Sequence, residues 1–206
     1  MAQPSGPTEP EVVREVSDVE TLKALSDPIR LGIMRSLMED TSSTYTVKEI
    51  AQRLGEPTTK LYRHMKVLEA ADLIRVASTR MVSGIQESQY RVAQLAVRLS
   101  RDLLSAPGNA GELAEAFGAT LDDFRERLVR DILAGRLGAA SGAEQTSSAP
   151  TPMVVALDRK LSPERATEFR SRLHDLMEEF NRPDDDSAAV VPIEFLLMFW
   201  SPRDPD

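Results

Sequence analysis

Residues 46–73 read TVKEIAQRLGEPTTKLYRHMKVLEAADL, a stretch that predicts two short helices joined by a tight turn. At about 100° per residue, Leu61, Met65 and Leu68 fall on one apolar stripe of the second helix. The almost opposite stripe is polar and consists of Thr59, Tyr62, Arg63 and Lys66. We therefore expect the second helix to pack one face against a core and to present the other face to a partner.

The polar stripe combines two permanent cations with a hydroxyl and a phenol, and it contains no acidic residue. Such side chains contact the phosphate oxygens and the base edges in protein–DNA complexes. We therefore interpret this stripe as the DNA-contacting face of a recognition helix.

The residues around the two helices indicate where each helix begins and ends. Thr46 and Glu49 have the spacing of a capping box, and Gly55 stands where a residue in the left-handed conformation would end the first helix. Pro57 and Thr58 then start the second helix, with Thr58 as its predicted N-cap. These signals together predict a helix-turn-helix.

The same two helices belong to a longer series of motifs. In chain order, these are LSDPIRLGIMRSL at 25–37, TVKEIAQRLG at 46–55, TTKLYRHMKVLEAADLIRV at 58–76, a turn at Gly84 and QYRV at 89–92. Over about residues 19–100, the chain resembles the winged helix-turn-helix of the ArsR-type bacterial transcription regulators. This resemblance implies a homodimeric DNA-binding repressor whose second helix enters the major groove and whose β-wing contacts the flanking DNA backbone.

The predicted DNA-binding residues lie on the second helix and on the wing: Thr58, Thr59, Lys60, Tyr62, Arg63, His64, Lys66 and Arg80. Two roles stay open for His64, because it falls at the edge of the apolar stripe. The resemblance implies a position near the DNA backbone, whereas the periodicity also fits packing. Arg80 is expected near the wing tip, where it contacts the backbone or the minor groove, or else only keeps an edge strand soluble.

The net charge of −8 does not contradict DNA binding, because the charge is unevenly distributed. Residues 43–91 contain eight basic and five acidic residues, which gives this segment a net charge of +3. The charge near the contact surface governs binding to a polyanion, since the Debye length is only about 8 Å.

Composition excludes several classes of protein. The chain has no cysteine and only two histidines, His64 and His174, so a soft-metal sensor is excluded, in contrast to many ArsR-type regulators. No catalytic constellation or cofactor motif is recognisable, so we expect neither enzymatic activity nor a cofactor. No apolar run approaches the roughly 20 residues of a membrane span, and the N-terminus lacks signal-peptide features, so a cytoplasmic protein is expected.

The length of 206 residues requires a second region, because one winged module needs roughly 100. The predicted fold is mainly α with small β content. Its predicted parts are a flexible arm at 1–16, a winged helix-turn-helix domain at 17–92, a helical dimerisation segment at 93–137, a linker at 138–152 and an α/β appendage at 153–206.

Two of these parts are predicted from apolar spacing. In the dimerisation segment a helix is expected through Leu95, Leu99 and Leu103, followed by a second stripe at Leu113, Phe117, Leu121, Phe124, Leu128 and Ile132. That stripe is expected to be buried against its two-fold copy or, alternatively, within one subunit. In the appendage we expect a strand at 153–158, a helix starting at Ser162 and a strand within 190–200.

The sequence therefore predicts a sequence-specific regulator that binds double-stranded DNA as a homodimer and represses transcription without soft-metal control. The appendage is expected to reinforce the dimer and to sense a small organic effector or a protein partner. The alternative is a winged-helix protein-interaction module that does not bind DNA, because a fold alone does not establish a function.

Overall fold

A computed structural model of the chain describes residues 10–82, 84–136, 153, 159–180, 193–194 and 196–199. The chain divides into two compact units, Met1–Arg127 and Leu128–Asp206. The described elements, in chain order, are β1 (Glu11–Val16), α1 (Val19–Ala24), α2 (Pro28–Met38), β2 (Tyr45–Thr46), α3 (Val47–Leu54), α4 (Thr58–Ala70), β3 (Ile74–Val82), β4 (Ile85–Val92), β5 (Gln94–Leu99), α5 (Arg101–Ser105), a 3₁₀ turn (Pro107–Asn109), α6 (Ala110–Leu133) and α7 (Pro163–Phe180).

The first unit is built around the apolar faces of its N-terminal helices. The Asp18 carboxylate caps α1 by accepting from the Thr21 N–H at 2.7 Å, and the Asp27 carboxylate caps α2 by accepting from the Arg30 N–H at 3.0 Å. Pro28 is the first residue of α2. A backbone N–H at this position has no acceptor within the helix, so the missing N–H of proline costs no hydrogen bond. The fully buried side chains include Leu22, Ile33, Leu37, Ile50, Leu61, Met65, Leu68, Leu73 and Ile74.

Helix α3 begins and ends as the sequence predicts. Thr46 Oγ1 accepts from the Glu49 N–H at 3.2 Å, while Glu49 Oε2 accepts from the Thr46 N–H at 2.7 Å. At the other end Gly55 is left-handed with a φ of 65°, and the Glu56 N–H donates to Ala51 O at 3.0 Å. The predicted capping box and the predicted glycine terminus are therefore confirmed.

Helix α4 differs from the prediction at its start. Thr58 is the first residue inside the helix, and the N-cap is Pro57, which makes no side-chain hydrogen bond. The Thr58 cap was predicted wrongly because Pro57, at φ −62° and ψ 134°, already has the extended conformation of an N-cap. The Lys60 N–H donates to Pro57 O at 3.0 Å, which closes the first turn.

An antiparallel hairpin of β3 and β4 follows α4, and β2 joins it to give the strand order β2–β4–β3. In this hairpin Arg80 is opposite Glu87, and Val82 is opposite Ile85. Gly84, with a φ of 83°, provides the left-handed conformation that the reversal requires. The predicted turn and returning strand are thus present after α4.

The arm predicted at 1–16 is wrong for its last residues. Residues 11–16 form β1, which pairs in parallel with β5, and the Glu11 N–H donates to Ala93 O at 2.9 Å. Val16 is buried, which fixes the end of this strand against the body of the first unit. Residues 1–9 lie outside the described part of the chain.

The helix predicted from Leu95 is also wrong, because residues 94–99 form β5. The spacing from Leu95 to Leu99 fits both a helix and a strand, since four residues are one helical turn or two strand repeats. In a strand, Val97 lies between them on the same side. Pairing with β1 then stabilises the strand conformation of this segment. The segment predicted at 93–137 therefore begins with a strand and becomes helical at α5.

Helix α6 carries the predicted apolar stripe, and much of that stripe is solvent-accessible. Phe117 is 40% exposed, Leu121 43% and Ile132 53%. A charged contact joins the middle of α6 to α2, because Arg35 Nη1 donates to both carboxylate oxygens of Asp123 at 2.8 and 2.7 Å. Such charge-assisted contacts are roughly twice as strong as neutral hydrogen bonds.

In the second unit, α7 confirms the helix predicted from Ser162, whose Oγ accepts from the Arg165 N–H at 3.3 Å. The predicted linker at 138–152 and residues 154–158 of the first predicted strand lie outside the described residues. Within the second predicted strand, residues 193–194 and 196–199 are not in a strand. In the described ranges no helix is sufficiently long and apolar to span a membrane.

Candidate nucleic-acid interface

Helix α4 has the two faces that its sequence predicts. Leu61, Met65 and Leu68 are at most 1% exposed and pack into the core between α2, α3 and β3. On the other side Tyr62 is 54% exposed, and Thr59, Arg63 and Lys66 are exposed with it. The buried stripe fixes the rotation of α4, so the polar stripe is held towards solvent.

Ion pairs within the chain distinguish the cations of α4 from one another. Lys60 Nζ lies 3.0 Å from Glu56 Oε2, one helical turn before it. Arg63 and Lys66, by contrast, have no ion-pair partner among the residues that the structure describes. A cation without an internal partner is available to a phosphate or a guanine, whereas a paired cation first has to leave its carboxylate.

The other basic residues of segment 43–91 divide in the same way. Arg53 pairs with Glu39 at 2.9 Å and Arg75 with Asp72 at 3.1 Å. Arg91 donates to Thr41 O at 3.3 Å. Within the described ranges, the cations of this segment that have neither an ion pair nor a hydrogen bond are Lys48, Arg63 and Lys66.

A groove of about 290 Å³ separates the exposed face of α4 from the hairpin. Its walls come from the start of α3, from α4 and from both hairpin strands: Val47, Lys48, Tyr62, Val82, Gln86, Glu87, Ser88 and Tyr90. On β4, Gln86, Ser88 and Tyr90 share one side because strand side chains alternate. The groove therefore carries a cation, two phenols, an amide and a hydroxyl, together with the Glu87 carboxylate, which is paired with Arg80.

The sequence alone does not place Lys48, Gln86 and Ser88 in the candidate site. Lys48 was recognisable as an exposed position, because Val47, Ile50 and Ala51 take the buried side of α3. Nothing in the local sequence, however, indicates that the hairpin returns beside the start of α3. Only the tertiary arrangement brings these three side chains next to Tyr62.

Tyr90 lines this groove, and its phenol stays neutral at physiological pH. Burial raises the pKa of the Tyr90 phenol above its ordinary value of 10.0, and the nearby Glu69 carboxylate acts in the same direction. A hydrogen bond with Ser88 opposes both effects. The phenol is therefore available as a hydrogen-bond donor at neutral pH.

Arg80 lies on the hairpin as predicted, but its charge is paired. Arg80 Nε donates to Glu87 Oε2 at 2.7 Å, and Arg80 Nη2 lies 2.6 Å from the same oxygen. The two residues are opposite each other in the β3–β4 register, which explains the close contact. The pair favours the second of the two predicted roles, a charge that stabilises and solubilises the hairpin.

His64 is only 6% exposed, so the structure favours packing over a contact with the DNA backbone. Its Nδ1 lies 3.3 Å from Asp27 Oδ1, without the geometry of a hydrogen bond. Asp27 is the N-cap of α2, so His64 joins the buried side of α4 to the start of that helix. His64, at the edge of the apolar stripe, is therefore buried together with that stripe.

No metal site is evident in the described part of the chain, where no three His, Asp or Glu side chains are placed to hold an ion. His64 lies in the first compact unit and His174 in the second.

Comparison with known proteins identifies the segment that contains α3 and α4. A family model described as a helix-turn-helix domain matches residues 25–77, from the end of α1 into β3. This match supports a helix-turn-helix regulator that binds DNA, and such domains are typically non-enzymatic. No curated protein matches the chain.

Proposed function

We propose that the chain is a sequence-specific transcription regulator that binds double-stranded DNA as a homodimer and acts as an ArsR-like repressor. In this proposal α4 is the recognition helix of a winged helix-turn-helix, and the β3–β4 hairpin is its wing. The observation that carries the proposal is the exposed α4 face, where Arg63 and Lys66 have no ion-pair partner in the described part of the chain and lie beside Tyr62.

Helix α4 supplies the base contacts. Arginine donates a pair of hydrogen bonds to guanine O6 and N7 in the major groove, and Arg63 occupies the middle of the exposed face. The first turn of α4 has no side-chain cap, so the Thr58 and Thr59 N–H groups, together with the hydroxyls of the same two residues, can donate to a phosphate. The reading of bases and the anchoring to the backbone are therefore both assigned to this helix.

The groove beside α4 supplies further backbone contacts. Lys48 offers a cation without an acidic partner in the described ranges, and Ser88 and Gln86 offer neutral donors. Such contacts fix the register of a protein on the duplex and carry no base preference of their own. Arg80 contributes less than predicted, because its contact with DNA would compete with Glu87.

The proposed dimer rests on α6. Helix α4, with 13 residues, reads too few bases to select one site in a genome, so two copies on an inverted repeat are required. Phe117, Leu121 and Ile132 expose apolar surface along one side of α6, where packing against a second copy would remove it from water.

We assign effector sensing to the second unit. Along α7, Phe169 is 42% exposed, Leu176 49% and Phe180 76%, so this helix has apolar surface that DNA binding does not require. Because the chain has no cysteine, the proposed signal is a small organic molecule or a protein partner instead of a soft metal.

The hairpin tip favours the alternative function, a protein-interaction module. Met81 is 68% exposed and Val82 43%, and exposed apolar side chains are typical of protein contacts. The α4 face argues against this alternative, because lysine is depleted from protein interfaces and Lys66 is exposed there beside Arg63.

Selection of binding sites from a pool of random duplexes tests the proposal. We expect enrichment of an inverted repeat whose half-site centres are about one helical turn apart, roughly 34 Å. Enrichment of one unrepeated motif would contradict the dimer. A pool that stays random over repeated rounds would favour the interaction module.

A further inference from the structure

The C-terminal end of α4 lacks the cation that a helix end favours. Its last carbonyl groups form the negative end of the helix dipole, and basic residues stabilise such ends. The last turn of α4 contains no basic residue and includes Glu69. The chain then leaves the helix through Asp72, left-handed at a φ of 51°, and the Leu73 N–H donates to Leu68 O at 2.9 Å.

Arg14 of β1 supplies the missing cation from a distant part of the chain. Its Nη1 donates to Ala71 O at 2.7 Å and to Asp72 O at 2.8 Å. Both acceptors belong to the turn that ends α4, so one guanidinium satisfies two carbonyl groups that the helix itself cannot satisfy.

The position of Arg14 is determined independently of α4. In the parallel pair of β1 and β5, Arg14 is opposite Val97, and the Ser100 N–H donates to Val16 O at 2.8 Å. Val16 is 1% exposed and holds the strand end in the body of the first unit. The sheet therefore sets the place of the guanidinium, and the guanidinium holds the end of α4.

We infer that Arg14 is a positioning residue for α4: it fixes the C-terminal end of the DNA-facing helix and thereby its affinity for DNA, without contacting DNA itself. This inference rests on the proposed function. Arg63 lies two turns before the end that Arg14 holds, so movement of that end changes how Arg63 meets a base pair. The N-terminal strand thus acts on DNA binding through a helix end.

The test compares Arg14→Ala with Arg98→Ala. Arg98 is a suitable control because it lies in the same two-stranded sheet, carries the same charge and pairs with exposed Glu15 at 3.1 Å, away from α4. We expect Arg14→Ala to weaken binding to the selected site about fivefold, the effect of one helix-end cation, and Arg98→Ala to leave it unchanged. Equal affinities of the two variants would overturn the inference.

The salt dependence of binding separates positioning from direct contact. A residue that only positions α4 leaves the slope of log affinity against log salt unchanged, because no phosphate contact is lost. If Arg14 contacts DNA, the slope of Arg14→Ala falls by about 0.9 relative to the unaltered protein, and the inference is wrong.

Hydrogen exchange at α4 provides a readout that needs no DNA. We expect the Asp72 and Leu73 amides, which donate to Glu69 O and Leu68 O, to exchange faster in Arg14→Ala than in Arg98→Ala. Arg14→Lys, which keeps the charge but loses the planar fork, should recover part of the protection and serves in place of Arg14→Ala if that variant does not fold. Unchanged exchange would contradict the inference, whereas changed exchange in a chain that binds no DNA would reject only the proposed function.

Discussion

At the scale of single residues, Lys60 and Arg63 show why two cations on one helix differ in what they can contact. Lys60 has Glu56 four residues before it and pairs with this residue at 3.0 Å. Arg63 has Thr59, Lys60, Lys66 and Val67 at the positions three and four residues away, and none of them is acidic. Side chains at these spacings are neighbours on a helix, so no acidic residue of α4 is placed to form an ion pair with Arg63.

Replacing Arg63 by alanine should therefore weaken binding to the selected site by about 1 to 3 kcal/mol, if the guanidinium reads a guanine. The preference at one base pair should relax in each half-site, which binding titrations against single-base variants of the site measure. Arg98→Ala is the matched control, because it removes an exposed arginine of β5 that pairs with Glu15. Equal affinity and equal base preference in Arg63→Ala and the unaltered protein would contradict the assignment.

The capping box of α3 provides a prediction about pH. Hydrogen bonds from the Thr46 N–H and hydroxyl hold the pKa of Glu49 below its ordinary value of 4.5. A carboxyl with a depressed pKa contributes stability above its unfolded pKa, and this contribution is lost as the pH falls through the folded pKa. Glu49→Gln should therefore be less stable than the unaltered protein at neutral pH, and the two should converge below pH 4.5.

Urea unfolding of both proteins over this pH range measures the effect. Glu15→Gln is a suitable control, because Glu15 is exposed and pairs only with exposed Arg98 among the residues described. A constant difference between Glu49→Gln and the unaltered protein at every pH would mean that the Glu49 charge does not stabilise α3.

At the scale of secondary-structure elements, α3 and α4 both end on a left-handed residue, but on residues of different type. Gly55 follows α3 at a φ of 65°, and Asp72 follows α4 at a φ of 51°. Glycine adopts this conformation without strain, whereas Asp72 is held in it while pairing with Arg75 at 3.1 Å. The end of α4 therefore depends on side-chain contacts, and the end of α3 on its backbone alone.

Gly55→Ala should lower the free energy of unfolding by about 1 to 2 kcal/mol, the cost of a left-handed alanine. No atom lies within 4 Å of the added methyl group, so the loss would be conformational and not steric. Gly118→Ala is the matched control and should change the free energy of unfolding in the opposite direction. Gly118 lies inside α6, and the space around an added methyl group is equally open there. There alanine should stabilise the helix by up to about 1 kcal/mol. Urea unfolding of both variants checks the two signs, and a stable Gly55→Ala would contradict the account of α3.

The elements that local signals determine could be predicted, and those that pairing with a distant segment determines could not. The capping box at Thr46, the glycine after α3 and the buried stripe of α4 each depend on residues within one or two turns. The strand at 11–16 depends instead on β5, more than 80 residues later, because Glu11 is opposite Gln94. Its sequence, EVVREV, has three β-branched valines among three charged residues, and so short a run does not indicate a strand without that partner.

The same distinction applies to the candidate site. Thr59, Tyr62, Arg63 and Lys66 could be placed on one exposed face because helical periodicity alone determines that face. Lys48 and Ser88 could not, since the groove exists only where the hairpin returns beside α3 and α4. The resemblance places His64 in the predicted site, and the expected wing tip places Arg80 there. Neither signal reveals Asp27 or Glu87, the residues beside which the two side chains lie.

At the scale of the whole molecule, the distribution of charge orients the approach to DNA. Residues 43–91 carry a net charge of +3, which leaves −11 on the rest of the chain. The acidic excess outside residues 43–91 disfavours contact of a polyanion with those segments, whereas the basic segment that includes α4 favours it. A chain with a net charge of −8 is thus compatible with specific DNA binding through one surface.

Truncation after Arg136 tests whether the first unit folds and binds DNA without most of the second, and whether the second unit strengthens the dimer. The buried core residues of the described part all lie before residue 117, so the shortened chain should fold and bind DNA. We expect its dimer to be weaker, because the proposed contribution of residues 153–206 is lost, and its salt slope on DNA to be unchanged. Sedimentation and binding titrations measure both quantities. Loss of the fold would show that the second unit belongs to the core, and an equally tight dimer would show that it does not contribute to assembly.

Titration of the full chain against random-sequence duplex at two salt concentrations tests whether the α4 side of this chain binds DNA. We expect measurable binding at low salt that weakens as salt rises, with a log–log slope of about −0.9 for each phosphate neutralised. Lys48→Ala and Lys66→Ala should each reduce that slope by about one phosphate if they contact the backbone. Absence of binding at low salt, or an affinity that does not change with salt, would contradict the account.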